Sequence, residues 1–360
     1  MDYAYELRMA KELADKNLPT ISVITPSYSG SLSVLEKCLD GVRKQNYPQS
    51  KIEIVLGHGG TREEIAHIIK KYDANVFLVP KNKQNAEYNR GIAFSKSKNE
   101  LVLVLDHDNF FPSKNWLREM VAPLLKHKEL VGVNTCYYHY DKSYPMMDRY
   151  FALFGTSEPL PYFLHKADRM PQTAHSWVLN GEAEDYGNYY YVTFSKDPRK
   201  FPSIGTNGCL MRRKLVAANS QSDPNHHYPI DVLFDVAQSG YSQYAYVKNS
   251  IIHLTHSRGF AEFIKRKLLF VKKYHFEDHS KRRWSVVVPG DELGVFLFVV
   301  YSLTLVLPLY DSLKGYLKIR DVAWFMHPLM CLGTTFIYGY MTIQFGLKKT
   351  LSFLRRQESN

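Results

Sequence analysis

The chain has 360 residues, 45% of them apolar, which allows one large core or two smaller ones and excludes a disordered composition. Its formal charge is +11, from 46 Lys and Arg against 35 Asp and Glu; this suits a phosphorylated substrate, anionic lipid, nucleic acid or simply a lysine-rich solvated surface. Cys38, Cys136, Cys209 and Cys331 lie far apart with no Cys-x-x-Cys pair, which argues against a zinc site or disulfide framework and for reduced thiols in a cytosolic compartment.

Residues 1–19 mix apolar and charged side chains at near-helical spacing, with no signal-like apolar run, and read as a surface or amphipathic helix. Residues 20–27, TISVITPS, predict a buried strand that ends in a loop at Pro26. Val34, Leu35, Cys38, Leu39 and Val42 recur at helical spacing, and Tyr47-Pro48 stops that helix. A second strand, KIEIVL at 51–56, runs into Gly57-His58-Gly59-Gly60. A helix over 62–72, a strand over 75–79, a helix over 88–97 and a strand over 101–105 follow. Such alternation predicts a mostly parallel sheet with helices on both faces, and ligands in such sheets sit at the carboxyl ends of the strands.

Three of those strand ends carry polar or glycine-rich loops: 26–30, 57–61 and 106–109. The last is Asp106-His107-Asp108-Asn109, directly after LVLVL. Carboxylates two apart in extended chain point the same way and repel, unless a cation or donors lie between them. A divalent metal on a diphosphate meets that need with hard oxygen ligands. On the motif alone, two solvated aspartates with Asp108 capping the next helix explain it equally well.

Taken in order, ISVITPSY at 21–28, KIEIVLGHGGT at 51–61, AEYNRGIAFSKSKNELVLVLDHDN at 86–109 and GTNGCLMRRKLV at 205–216 resemble the family 2 glycosyltransferases, inverting enzymes of the GT-A fold. The resemblance covers about 230 residues and is poor over 140–200. It implies a GT-A nucleotide-sugar-binding domain over 20–258. Pro26 and Tyr28 would then line the base and ribose pocket, and Asn89 and Arg90 would lie near ribose and diphosphate. Asp106 would face ribose or metal, and Asp108 would bind Mg2+ or Mn2+. The family usually ends its second strand with an aspartate that contacts the base; His58 stands in that loop here and is the expected substitute.

The acceptor hydroxyl in such a reaction needs a general base. The family's Glu-Asp before a helix is replaced by Ile230-Asp231, so Asp231 is the expected base, with Asp235 one turn on as the alternative and an N-cap role as the bland reading. In IIHLTHSRGF, His253 and His256 are candidates for the metal or diphosphate, His256 being chosen as a ligand, and Arg258 for the diphosphate; structural histidines remain the other reading. The aromatic-rich stretch 137–201 offers sugar or lipid platforms or ordinary core.

Residues 259–290 begin with FAEFIKRKLLFVKKY, a basic amphipathic pattern that predicts an interfacial helix and linker. The Gln-x-x-Arg-Trp segment of processive members is absent, which disfavours a polymer synthase. Residues 293–310 (18 without a charge) and 323–347 (25 without Asp, Glu, Lys or Arg) approach the roughly 20 residues a spanning helix needs. They predict a two-helix membrane segment over 291–347, or else buried helices or a re-entrant hairpin. Lys281, Arg282 and Arg283 before it, and Lys348, Lys349, Arg355 and Arg356 in a basic tail over 348–360, place both ends and the catalytic domain on the cytoplasmic face.

The expected function is therefore metal-dependent, inverting transfer of a sugar from a nucleotide-sugar to a lipid-linked or cell-envelope glycan acceptor at the membrane, with membrane lipids as partners and no nucleic acid. The rivals are a polyprenyl-phosphate glycosyl synthase, with the acceptor phosphate near Arg212, Arg213 or Arg258, and a non-catalytic membrane-bound nucleotide-sugar-binding protein.

Overall fold

The structure, a computed structural model, describes residues 15–255 and 259–357, without the side chains of 279 and 347–357. Most of the expected N-terminal helix, together with His256 and Arg258, lies outside the described residues. The first third runs β1 (Ile21–Tyr28), α1 (Leu32–Arg43), β2 (Ile52–Gly59), α2 (Arg62–Tyr72), β3 (Ala74–Leu78), α3 (Ala86–Lys96) and β4 (Leu101–Val104). Its four strands are parallel, in the order β3-β2-β1-β4.

Both faces of these strands are covered, so nearly every position is apolar. Leu101 and Leu103 of β4 join one core with Leu35 and Leu39 of α1 and Ile65 of α2. Val102 and Val104 join the opposite core with Ala93 and Phe94 of α3. Local signals fix the helix starts. Thr61 and Glu64 form a reciprocal capping box on α2, and Asn85 accepts from the Tyr88 N–H to cap α3.

The chain continues through β5 (Asn109–Phe110), α4 (Trp116–Lys126), β6 (Gly132–Tyr138), α5 (Met146–Phe154), α6 (Pro159–Phe163), β7 (Glu182–Asp185), β8 (Tyr189–Thr193), β9 (Cys209–Arg212), α7 (Arg213–Ala218), α8 (Pro229–Gln238) and β10 (Gln243–His253). The sheet extends as β4-β9-β6-β10-β8-β7. The expected mostly parallel sheet is corrected in this half. β9 is antiparallel to both β4 and β6, and β8 to both β10 and β7. β9 enters after the long excursion of 139–208 rather than through a helical crossover, so nothing constrains it to run parallel. The fold is a mixed α/β architecture around one central sheet.

After α9 (Phe260–Val271) come α10 (Glu292–Thr304), α11 (Val306–Lys318) and α12 (His327–Gln357). The uncharged run 293–310 is not one helix. It breaks at Leu305, which adopts φ +57°, and α10 and α11 meet at 81°. Pro308 supplies the reason: a helix continued through it would lack one N–H and drive the proline ring into the carbonyl of Thr304. Among the described residues no single helix is long and apolar enough to cross a membrane, and only the bent pair qualifies by length and composition.

These helices pack on the sheet domain. Lys166 pairs with Asp291, and the Tyr140 hydroxyl donates to Asp321 at 2.6 Å. The His327 ring stacks on Phe154 at 4.3 Å and hydrogen-bonds the Tyr150 and Tyr301 hydroxyls at 3.0 Å each.

Candidate active site

The parallel strands bring their carboxyl ends to one edge, and a cleft of about 450 Å³ opens there. Its lining includes Glu87 and Arg90 of α3, Asp106 and Asp108 after β4, His253 at the end of β10, Tyr138, Glu158 and Asp168, and Lys267 and Phe270 of α9, and the Tyr138 and His253 rings pack 5.5 Å apart. α3 carries Arg90 inward, where its Nη2 donates to Asp106 Oδ1 at 2.6 Å and its Nη1 pairs with Glu87. Burial alone would lower the guanidinium's pKa; Asp106 and Glu87 outweigh it and hold Arg90 above its ordinary value.

The short strand β5 decides what Asp108 meets. It pairs antiparallel with β10, setting Asn109 opposite His253. His253 Nε2 therefore lies 3.7 Å from Asp108 Oδ2. Burial opposes charge on both groups, but each stabilises the other: Asp108 is held below its usual range and His253 above. Asn109 is fully buried and fixes the turn, accepting from the Asp106 N–H at 3.1 Å and donating to Asn207 Oδ1 at 3.2 Å. Thus His253 meets the aspartate loop, while the chosen ligand His256 and the diphosphate candidate Arg258 lie outside the described residues.

Two other expected positions differ. His58 is fully buried, with Nδ1 2.9 Å from Ser27 Oγ, and burial lowers its pKa; it belongs to the core and does not line the cleft. Pro26 and Tyr28 stand on β1 beside that strand, and Asn89, also buried, donates to the Ser27 carbonyl at 3.3 Å. Gly57 admits no side chain, because a Cβ there would meet the Asn89 carbonyl oxygen at 1.9 Å.

Asp231 is the second. It opens α8 fully buried and is absent from the cleft wall. Arg282 Nε reaches its two oxygens at 3.1 and 2.9 Å and Arg282 Nη2 donates at 2.7 Å, while the Arg283 N–H adds 2.9 Å. Arg283 holds Asp235 in the same way at 2.7 Å. Both candidate bases thus anchor the segment between α9 and α10, and the two arginines, expected as a charge flank to a membrane helix, are spent inside the fold.

Sequence reasoning missed the roles of other residues that line the cleft. Asp168 accepts from the Tyr138 hydroxyl at 2.6 Å and lies beside Arg169; Tyr138 in turn accepts from Asn207 Nδ2 at 2.9 Å. Burial raises the Asp168 pKa. Glu158 pairs with Lys267. Glu158, Asp168 and Arg169 lie in the poorly matched 140–200 stretch, and the one available signal is the Lys-Ala-Asp-Arg run at 166–169.

Residues 22–180, which hold the aspartate loop, Arg90 and Asp168, match the sequence profile described as Glycosyl transferase family 2. Over that stretch the chain is similar to the family 2 glycosyltransferases. It is 29% identical over 111 residues to the glycosyltransferase AglE of Haloferax volcanii, covering 30% of this chain and 36% of that protein. It is 22% identical over 122 residues to the UDP-forming cellulose synthase 1 catalytic subunit of Komagataeibacter xylinus, covering 34% of this chain and 16% of that one. The matches thus span little more than a third of the first relative's length and about a sixth of the second's. Among solved structures it is similar to the mannosyltransferase PcManGT of Pyrobaculum calidifontis, in complex with GDP-Man and Mn2+, at 15% identity over 95% of this chain and 90% of that one, with a TM-score of 0.45. S. aureus TarS matches at 15% identity over 90% of this chain and 54% of that one, with a TM-score of 0.47.

Proposed function

We propose that this chain is a family 2 glycosyltransferase that moves a sugar from a nucleotide-sugar to a lipid-linked or cell-envelope acceptor at a membrane, with inversion and with a divalent cation. The observation that carries the reading is the Arg90–Asp106 pair and Asp108 at the carboxyl edge of the parallel strands, lining one cleft together with acidic and aromatic side chains. Arg90 places fixed positive charge where a departing nucleoside diphosphate gains negative charge.

The donor set suits Mg2+ or Mn2+ only in part. Asp108 and His253 supply a carboxylate oxygen and an imidazole nitrogen, and no group of three or more His, Cys, Asp or Glu among the described residues could hold a metal unaided. Substrate oxygens would complete the shell, as is usual for Mg2+. When bound, the cation would supply charge stabilisation for the leaving diphosphate. On that reading Asp108 and His253 hold it, and Arg90 positions Asp106.

One observation favours a second acceptor class. Every carboxylate that lines the cleft is engaged by a donor: Glu87 and Asp106 by Arg90, Asp108 by His253, Glu158 by Lys267, and Asp168 by Tyr138 and Arg169. A hydroxyl acceptor needs a base, for which Asp168, with its raised pKa, is the best placed. An acceptor phosphate is already anionic and needs none, so a polyprenyl-phosphate acceptor in this cleft is the second reading.

Membranes containing the protein, incubated with a panel of labelled nucleotide-sugars and either Mn2+ or EDTA, test the proposal. Metal-dependent transfer or hydrolysis of one donor is expected; if no donor is bound or turned over, the enzymatic reading fails. Asp108→Ala is expected to abolish metal-dependent thermal stabilisation by that donor. Asp168→Asn separates the acceptors. It abolishes transfer to a hydroxyl and leaves transfer to a polyprenyl phosphate within a few-fold.

A further inference from the structure

The large apolar side chains left open to solvent gather on the bent helix pair. Leu293, Leu297 and Val300 make a stripe along α10, and Val306, Leu313 and Leu317 one along α11, with Leu293, Val306 and Leu317 each more than 65% exposed. Spacings of three, four and seven residues put each set on one helix face. The other face is committed: Phe298 and Ser302 of α10, and Ser312 and Gly315 of α11, are buried against the body. A helix packed on protein along one side and apolar on the other lies along a surface.

The charges are sorted in the same way. Asp291 is taken by Lys166, Asp311 by the Tyr301 hydroxyl, and Asp321 by Tyr140 and Arg149. Glu292 accepts from the Gly290 N–H. Lys314, Lys318 and Arg320 are exposed with no carboxylate partner among the described residues, Lys314 resting over the Tyr310 ring at 4.2 Å. Two apolar stripes edged by unbalanced positive charge complement one partner, an anionic lipid leaflet.

We propose that α10 and α11 enter that leaflet as an in-plane elbow, hinged at Leu305, without crossing it. Lys318 and Arg320 then stay on the same side as the sheet domain, whereas a spanning hairpin would carry them to the far side. The inference rests on the membrane placement proposed above and adds the mode of attachment. It is independent of the chemistry.

The test uses the purified full chain and preformed phosphatidylcholine vesicles with or without phosphatidylglycerol. The chain is expected to float with the anionic vesicles and to be released by high salt or by omitting phosphatidylglycerol. Val306→Glu with Leu317→Glu is expected to lower the bound fraction about tenfold or more. Lys318→Glu with Arg320→Glu, a surface change that leaves the fold intact, is expected to lower it about tenfold. An Arg320→Cys variant on vesicles should react with an impermeant maleimide added outside, the native cysteines all being buried. Protection of that cysteine would establish a spanning hairpin and overturn the proposal. Failure to float does the same, whether the protein is then a monomer or a dimer that covers the stripes with a second copy. Donor turnover without flotation defeats the attachment alone; flotation without turnover defeats only the catalytic reading.

Discussion

Asp231 and Arg282 form a largely buried ion pair at the start of α8. Asp231 has no exposed surface and is held by two guanidinium nitrogens and one backbone N–H. Removing Arg282 as Arg282→Met leaves a buried, uncompensated carboxylate, which costs about 3–5 kcal/mol. Asp231→Asn keeps the shape and loses charge-assisted hydrogen bonds, a loss of about 1.5–3 kcal/mol. Asp231→Leu combined with Arg282→Met removes both charges and should recover most of the loss, because a buried pair replaced by apolar groups is close to neutral. The coupling between the sites should then exceed about 2 kcal/mol. Urea unfolding of the wild type, Arg282→Met, Asp231→Leu and the double variant, with unchanged slopes, measures it. If Asp231 were the base, Asp231→Asn would abolish transfer while leaving the unfolding midpoint unmoved. That result would refute the assignment of Asp231 to a structural clamp.

Two further substitutions follow from packing and burial. Gly57→Ala would set a Cβ 1.9 Å from the Asn89 carbonyl oxygen and force α3 away from β2; a loss of about 3 kcal/mol or more is expected by urea unfolding, with weaker donor-induced thermal stabilisation because Arg90 moves too. His227 is buried, and burial, reinforced by Arg90, lowers its pKa from 6.5 to about 3. The unfolded chain therefore binds a proton that the folded chain refuses. This contribution to stability is complete above about pH 6.5 and falls as pH drops toward 3, at up to about 1.4 kcal/mol per unit. His227→Gln should flatten the decline in unfolding free energy between pH 6.5 and 5; an unchanged slope would show that His227 is not the group responsible.

The first 110 residues were legible because their physics is local. Strands buried on both faces read as unbroken Val, Ile and Leu, helices show their apolar spacing, and Thr61 and Asn85 mark where α2 and α3 begin. Asp106 and Asp108 follow just after β4, whereas Arg90, inside α3, is pointed to only by the family resemblance. What could not be read depends on pairings between distant residues. The meeting of Asp108 with His253 requires the pairing of β5 with β10, about 140 residues apart in sequence, and β5 has only two residues. Asp231 was read as a base because nothing local shows Arg282 returning 51 residues later to cover it. His58 looked available because a glycine loop follows it; the burial comes from Ser27 and from the close approach at Gly60, whose Cβ would lie 2.4 Å from His58 Nε2. Hydropathy counts the run 293–310 as one segment and does not register that a helix cannot run unbroken through Pro308, so α10 stops at Thr304.

The same distant contacts join the two halves of the molecule. α9 faces the cleft with Lys267 and Phe270, and its Ile264 sits where a Cβ on Gly333 of α12 would lie, 2.5 Å from Ile264 Cδ1. α12 in turn holds α10 and α5 through the His327 contacts with Tyr301 and Tyr150. These contacts form a packed path from the elbow through α12 to α9 and Lys267, the partner of Glu158 in the cleft. Coupling needs, beyond contact, an element that both ends bias, and Gly333→Leu tests for it: α9 must move off α12, so the expected loss falls on acceptor use, read as a raised KM, while donor-induced stabilisation through Arg90 and Asp108 is retained. Equal loss of both would mean that the substitution unfolds the domain rather than uncoupling its two halves.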